Sequence, residues 1–242
     1  MLSIENVSFK YDDSRSEILK NINCKMQYGD FIALIGPNGS GKTTLIKLIA
    51  NTLNLEQGKI LLDSVSNKNP AFNSQVLYLP SDDLLPGFMS GNEYLKLMHR
   101  LYNKELCVSL LDDLSEKLSL HSALHSLIDS YSTGMKKKLQ VILSLLIEPK
   151  ILIIDETLNG MDIESIEITK KLYQQIANDE TIIIMCSHDL YLLDDLCNKC
   201  LMIYSGKLCL YEPMKNLERN LAATFKKFIN NEDGTYVAPK DN

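Results

Sequence analysis

The sequence predicts an α/β fold: a mostly parallel sheet with helices on both faces, antiparallel strands at the N-terminal end, and an inserted helical subdomain. Three observations predict it. The runs "FIALIG", "ILIID" and "TIIIMC" are continuously apolar and end abruptly in glycine or polar residues, as parallel strands buried on both faces do. Segments with apolar residues at helical spacing alternate with these runs, the pattern of a sheet covered by helices. Between about residues 84 and 148 only helical patterns occur.

Taken in order, "LSIENVSF" from Leu2 to Phe9 alternates like a strand with one buried face, and "ILKNINCKM" from Ile18 reads as a second. Gly29-Asp30 marks a tight turn into "FIALIG", and the helix "KTTLIKLIANTL" follows. Gly58 to Leu62 and Val76 to Leu79 are two further strands. The insertion carries "NEYLKLMHRLY", "LCVSLLDDLSEKLSL" and "KKLQVILSLLI". After Pro149 come "ILIID", a helix from about Ile163 to Ala177, "TIIIMC", a helix near "DLYLLDDLC", and the strands "CLMIY" and "KLCLY". Residues 1–229 are expected to form the domain, with the polar stretch 230–242 as a frayed tail.

The bulk composition excludes several classes. A net charge of −6 gives no electrostatic case for nucleic acid as a partner. The six cysteines are scattered, which fits a reduced cytoplasmic compartment rather than a disulfide framework. Cys197 and Cys200 form one CxxC with no second ligand pair near it, so they read as packed side chains. No apolar run approaches the ~20 residues that span a bilayer. If the protein works at a membrane, another chain is expected to do the spanning.

The chemistry concentrates at strand ends. "GPNGSGKTT", Gly36 to Thr44, matches G-x-x-x-x-G-K-[ST] and lies between a buried strand and a helix, so the core is a P-loop nucleotide-binding one. There the backbone amides of Gly36, Asn38, Gly39, Ser40 and Gly41 can turn onto phosphates, with Lys42 reaching the β- and γ-phosphates. Thr43 can ligate Mg²⁺, and Thr44 completes the loop. "ILIIDE" delivers Asp155 to the Mg²⁺ shell, through water, and Glu156 as general base for an attacking water. "TIIIMCSHDL" places His188 at a comparable strand end, where it can donate to a γ-phosphate or position the attacking water. A second anion receptor stands in "YSTGMKKKLQ": Ser132 and Gly134 open a helix, yet lysines follow where the macrodipole is already positive. That arrangement makes sense if a strong anion docks there.

Together these residues resemble the ATP-binding cassette (ABC) ATPases, through nearly the whole chain. Gly36–Thr44 resembles the Walker A loop, Ile151–Glu156 Walker B with its catalytic glutamate, and Asn159–Asp162 the D-loop, with Asp162 at its end. His188 resembles the switch histidine, Tyr131–Met135 a variant of the LSGGQ signature, and Tyr11 the aromatic that stacks on adenine. The resemblance implies ATP as substrate and Mg²⁺ as its metal. It implies a head-to-tail homodimer, or a heterodimer with a similar cassette, in which Ser132, Gly134 and Met135 complete the partner's site. Separately encoded membrane permease subunits would hold it on the inner face of the cell membrane.

The chain departs from the family pattern at two places, of which the second is expected to be tolerated. Where the family has a Gln after the strand ending at Pro80, this chain has Ser81, Asp82 and Asp83. Ser81 or Asp82 is expected to supply a hard oxygen ligand in its place. "DETLNG" has Thr157-Leu158 after the glutamate instead of the usual Pro-Thr. The variant signature and the "YLP" loop resemble stand-alone ATPases of bacterial drug, antibiotic and antimicrobial-peptide exporters. Two alternatives stay open at this level: a soluble ABC ATPase of translation, DNA repair or assembly, and a regulatory cassette with weak hydrolysis.

Overall fold

The computed structural model describes residues 1–12, 16–82, 84–177, 180–217 and 220–230. Asp83 and nearly all of the expected tail lie outside them.

Two sheets form the frame. The parallel strands are β3 (Phe31–Ile35), β6 (Val76–Leu79), β7 (Ile151–Asp155), β8 (Ile182–Cys186) and β9 (Lys199–Tyr204), with β10 (Lys207–Pro213) antiparallel on one edge. Their order is β10-β9-β3-β8-β7-β6. The smaller sheet, β2 (Leu19–Met26), β1 (Leu2–Phe9), β4 (Gln57–Leu62) and β5 (Val65–Ser66), is antiparallel throughout. The alternation in "LSIENVSF" and "ILKNINCKM" produces it, with Leu2, Ile4, Ile22 and Met26 buried on one face.

Period-2 alternation splits each parallel strand between two cores. Ile32, Leu34, Ile153, Ile184 and Ile203 pack with helix α1 (Lys42–Ile49) against the antiparallel sheet. Ala33, Ile35, Leu152, Ile154, Met185 and Met202 face the other way. There they meet α5 (Thr133–Ile147), α6 (Ile163–Ile176) and α7 (Leu190–Leu196). Strands buried on both faces need apolar residues at every position, hence the unbroken runs in the sequence.

The helical insertion comprises α3 (Gly91–Leu101), α4 (Val108–Lys117) and α5. A reciprocal cap between Ser90 and Glu93 starts α3. Its core is continuous with the sheet's: Leu95, Leu111, Leu114 and Leu139 belong to the same cluster as Ile154. The short helix α2 (Pro70–Asn73), capped by Asn69, and the C-terminal α8 (Leu221–Asn230) add to the elements read from the sequence. Asn69-Pro70 is a readable start signal, and Leu221, Phe225 and Phe228 show helical spacing. The Leu221 N–H donates to Asp194 of α7 at 3.0 Å, which fixes the start of α8. Cys197 and Cys200 are buried, and desolvation pushes the Cys200 thiol up to about 12 and holds the Cys197 thiol well above the ordinary cysteine range.

Candidate functional site

A cavity of about 430 Å³ opens at the carboxyl ends of the parallel strands, where open α/β sheets bind ligands. Its lining brings together Tyr11, Asn38, Gly39, Gly41, Lys42, Thr43, Thr44, Asp155, Glu156 and His188. These residues come from four separate parts of the sequence. Gly36 and Ser40 are not in the wall. A Cβ on Gly36 would overlap the Ile203 carbonyl oxygen of β9. Gly36 therefore lets the loop cross the sheet edge closely. Ser40 is buried behind it, and its Oγ is among the buried polar atoms lacking a hydrogen-bond partner.

Lys42 at the start of α1 donates to the carbonyls of Gly36, at 2.7 Å, and Pro37, at 3.1 Å. The ammonium thus spans the loop and keeps its turn open around the cation. Tyr11 stands at the cavity mouth, edge-on to Phe9, with its hydroxyl 3.3 Å from Thr44 Oγ1.

The adjacent acids of "DE" have different environments. Asp155 ends β7 and is 6% exposed; desolvation raises its carboxyl above the ordinary range, partly opposed by the hydroxyl of Tyr78. That hydroxyl donates to Asp155 Oδ2 at 3.2 Å. Glu156 takes a left-handed backbone, φ 56°, which costs a non-glycine residue about 1–3 kcal/mol. Its N–H donates to the Cys186 carbonyl at 2.9 Å, which holds the kink in place. The kink turns Glu156 out of the sheet, where Oε1 meets His188 Nε2 at 2.9 Å and Oε2 accepts from Asn159 at 3.3 Å. Strain at this position separates a buried metal-type carboxylate from an accessible base.

Asp155 and the Thr43 hydroxyl form a hard-oxygen donor set of the kind Mg²⁺ takes. A polyphosphate beside Asp155 and Glu156 places several negative charges together, which a divalent cation and Lys42 offset. The site fits such a metal. The structure does not bring Ser81 or Asp82 to it. Both are exposed and neither lines the cavity. Ser81 instead presents its backbone carbonyl to Lys137 Nζ at 2.8 Å. The group from this strand that reaches the acidic pair is Tyr78, one strand position before Leu79, which sequence reasoning missed. The contact depends on the parallel register that sets Tyr78 opposite Ile153, which the sequence does not signal.

A second concavity, about 450 Å³, is lined by Ser132, Thr133, Gly134, Met135, Lys138, Gly160 and Asp162. It shares no residue with the first. Ser132 caps α5 by accepting from the Met135 N–H at 3.2 Å. Gly134 lies so close to the D-loop that a Cβ would stand 2.9 Å from the Gly160 carbonyl. Asp162 caps α6 and pairs with Lys138 at 2.8 Å. These contacts hold its carboxyl far below the usual aspartate range. The lysines that follow the receptor do not share one environment. Lys137 is buried and Lys138 is paired within the chain, because the fold brings Ser81 and Asp162 beside α5 and each lysine finds an acceptor.

The sequence matches the ABC transporter family over residues 19–159, more than half of the chain. The chain belongs to this family. It is 30% identical to the Bacillus subtilis uncharacterized ABC transporter ATP-binding protein YdbJ, over 86% of this chain and 68% of the relative. It is 28% identical to the B. subtilis ABC transporter ATP-binding protein NatA, over 86% and 87%. The zinc uptake system ATP-binding protein ZurA of Listeria innocua is also 28% identical, over 84% and 82%. The fold matches a solved ATP-binding subunit of an ABC transporter with TM-score 0.83 and 23% identity, over 92% of this chain and 93% of that one. It also matches a dimeric post-hydrolysis structure of the ATP-binding cassette MJ0796 bound to ADP and Pi, with TM-score 0.77 and 17% identity, over 88% and 99%. The protein is the ATP-binding subunit of an ABC transporter, an ATPase cassette. Among the described residues no helix is long and apolar enough to cross a membrane.

Proposed function

We propose that this cassette hydrolyses MgATP as a head-to-tail dimer and drives separately encoded membrane subunits, on the inner face of the cell membrane, in the direction of export. The observation that carries the dimer is the separation of the two concavities. One holds a phosphate cradle, a metal-type carboxylate and a base; the other holds an N-terminal helix receptor with no base. Each is half of a site. Two chains placed head to tail give each cradle a facing receptor from the other chain.

Within such a site this chain's groups have distinct tasks. The amides from Asn38 to Gly41 and the Lys42 ammonium would hold the phosphates, and Tyr11 the adenine face. Thr43 and Asp155 would hold Mg²⁺, which supplies charge neutralisation at the transferred phosphoryl. Glu156, turned out by its backbone, accepts a proton from water. His188, 2.9 Å away, orients that carboxylate and donates toward developing charge. Ser132 and the amides that follow bind the phosphates held by the partner chain.

An exposed apolar face supports a partner on the helical insertion. Phe88, 83% exposed, lines a groove with Met89, Glu93, Lys96, Leu97 and Arg100, and Leu84 and Leu101 are also exposed, at 84% and 64%. A cytoplasmic helix of a membrane subunit, apolar on one face and charged at its edges, fits this groove. Export is supported by the "YS-x-GM" signature and the "YLP" loop; the similarity to ZurA favours uptake as the second reading. The test uses Glu156→Gln with MgATP on a sizing column, followed by pull-down of the tagged chain from detergent-solubilised membranes of its own cells. A dimer with MgATP, and a polytopic membrane protein at near one-to-one ratio, are expected. A persistent monomer with membrane subunits present, or only soluble partners, would sink the reading. The identity of the membrane partner decides between export and uptake.

A further inference from the structure

A smaller cavity, about 100 Å³, adjoins the phosphate end of the nucleotide cavity. Lys42, Cys186 and His188 line both, so these side chains form the wall between them. Ser187 and Leu190, on either side of His188 in sequence, also line the smaller one. Phe225 joins them from the C-terminal helix α8, which has no part in the mechanism above.

The fold holds Phe225 at this place. On α8, Leu221, Thr224 and Phe228 are buried and Phe225 is half-buried, which is one inward face at helical spacing. The Leu221 N–H donates to both carboxylate oxygens of Asp194 on α7, at 3.0 and 3.2 Å. The Phe228 ring meets Tyr204 of β9 edge-on, with centroids 5.4 Å apart. Helix α7 in turn begins directly after His188, where the Asp189 carboxylate accepts from the N–H groups of Tyr191 and Leu192. The chain thus runs from His188 through α7 into α8, and Phe225 returns to the cavity behind His188.

His188 needs such a backing. Its side chain is 69% exposed, and it meets Glu156 at 2.9 Å across the open face of the site. A misplacement of about 1 Å in a reacting group costs up to about 10²-fold in rate. A flat, rigid ring behind the turn limits how far the turn can recede, and the small volume of the cavity leaves little room for it.

We propose that Phe225 is a positioning residue for ATP hydrolysis: from α8 it backs the Ser187–His188 turn and keeps His188 in reach of Glu156. Helix α8 then sets the rate of hydrolysis without touching the nucleotide. Phe225 acts through His188, so its role rests on the one proposed above for that histidine.

The test measures steady-state phosphate release from MgATP by the full chain carrying Phe225→Ala, His188→Ala or both, below the melting transition of each. A titration with a fluorescent ATP analogue runs beside it. Phe225→Ala is expected to lower kcat about tenfold, part of the roughly 10²-fold loss in His188→Ala, with analogue affinity within about twofold of wild type. Added to His188→Ala it lowers kcat less than about twofold, because the side chain it positions is already gone. Phe225→Leu, which keeps an apolar wall, restores most of the rate. If Phe225→Ala does not fold, Phe225→Val carries the same test. Normal kcat in the folded variant overturns the proposal. So does an equal fall in the His188→Ala background, or a loss of affinity in place of kcat, either of which marks a general packing role. If His188→Ala itself turns over normally, the reading of His188 fails and the role of Phe225 fails with it.

Discussion

Tyr78→Phe removes one oxygen atom and leaves the ring in β6. In the structure that oxygen is 3.2 Å from Asp155 Oδ2. A hydrogen bond to a charged acceptor is worth about 1.5–3 kcal/mol. The contact is at the long end for O–H···O, so the lower bound applies. About 1.5 kcal/mol is slightly more than a factor of ten. Asp155 is buried and already raised by desolvation, so no water replaces the hydroxyl freely. The carboxylate then loses both orientation and part of the support for its ionised form. The expected result is a roughly tenfold higher Mg²⁺ concentration for half-maximal ATP hydrolysis. Binding of a fluorescent ATP analogue in EDTA should be unchanged, because the cradle amides and Lys42 are untouched. Steady-state phosphate release across a Mg²⁺ series, beside that binding titration, measures both. An unchanged Mg²⁺ requirement would refute a role for Tyr78 at the carboxylate. A loss of metal-free binding would show that the substitution disturbs the cradle instead.

Other substitutions separate the remaining parts. His188→Ala removes the 2.9 Å partner of Glu156 and is expected to lower kcat about 10²-fold while ATP binding changes little. Near-normal turnover would remove His188 from the mechanism. Gly134→Ala puts a Cβ 2.9 Å from the Gly160 carbonyl, so the receptor and D-loop must separate at a cost of about 1–3 kcal/mol. Hydrolysis should fall at least about tenfold while isolated chains bind nucleotide normally; full activity would count against a receptor built on this contact. Asp162 has a lowered carboxyl pKa in the fold, from Lys138 first and then the α6 cap. Its stabilisation is present above the ordinary aspartate value of 3.8 and is lost as pH falls toward the depressed folded value. The melting-temperature gap between wild type and Asp162→Asn should therefore shrink as pH drops from 7 to 3, and a gap that widens would contradict the pairing.

Much of the site was legible because its geometry is local. "FIALIGPNGSGKTT" contains strand, turn and helix in one stretch, so the cradle needs no distant residue to form. "ILIIDE" and "TIIIMCSHDL" carry their polar residues at the ends of apolar runs, and a buried strand can deliver them only to the sheet edge. The alternation of those runs with helical patterns determined the α/β class, and the strandless stretch after Leu84 determined the helical insertion. Neither required knowledge of which strand neighbours which.

Tertiary structure decided the contacts that depend on register and approach across long sequence separations. That Asp155 and Glu156 face different environments is due to the left-handed kink at Glu156, which no composition signals for a glutamate. Lys137 and Lys138 read as surface charge until α5 is placed beside Ser81 and Asp162. Tyr78 meets Asp155 because parallel pairing sets Tyr78 opposite Ile153, on the strand that ends in that carboxylate. Sequence alone determines the features set by the period of a helix or strand. Only folding decides which side chain meets a carboxylate 77 residues away, since that distance is set by strand order and not by the chain between them.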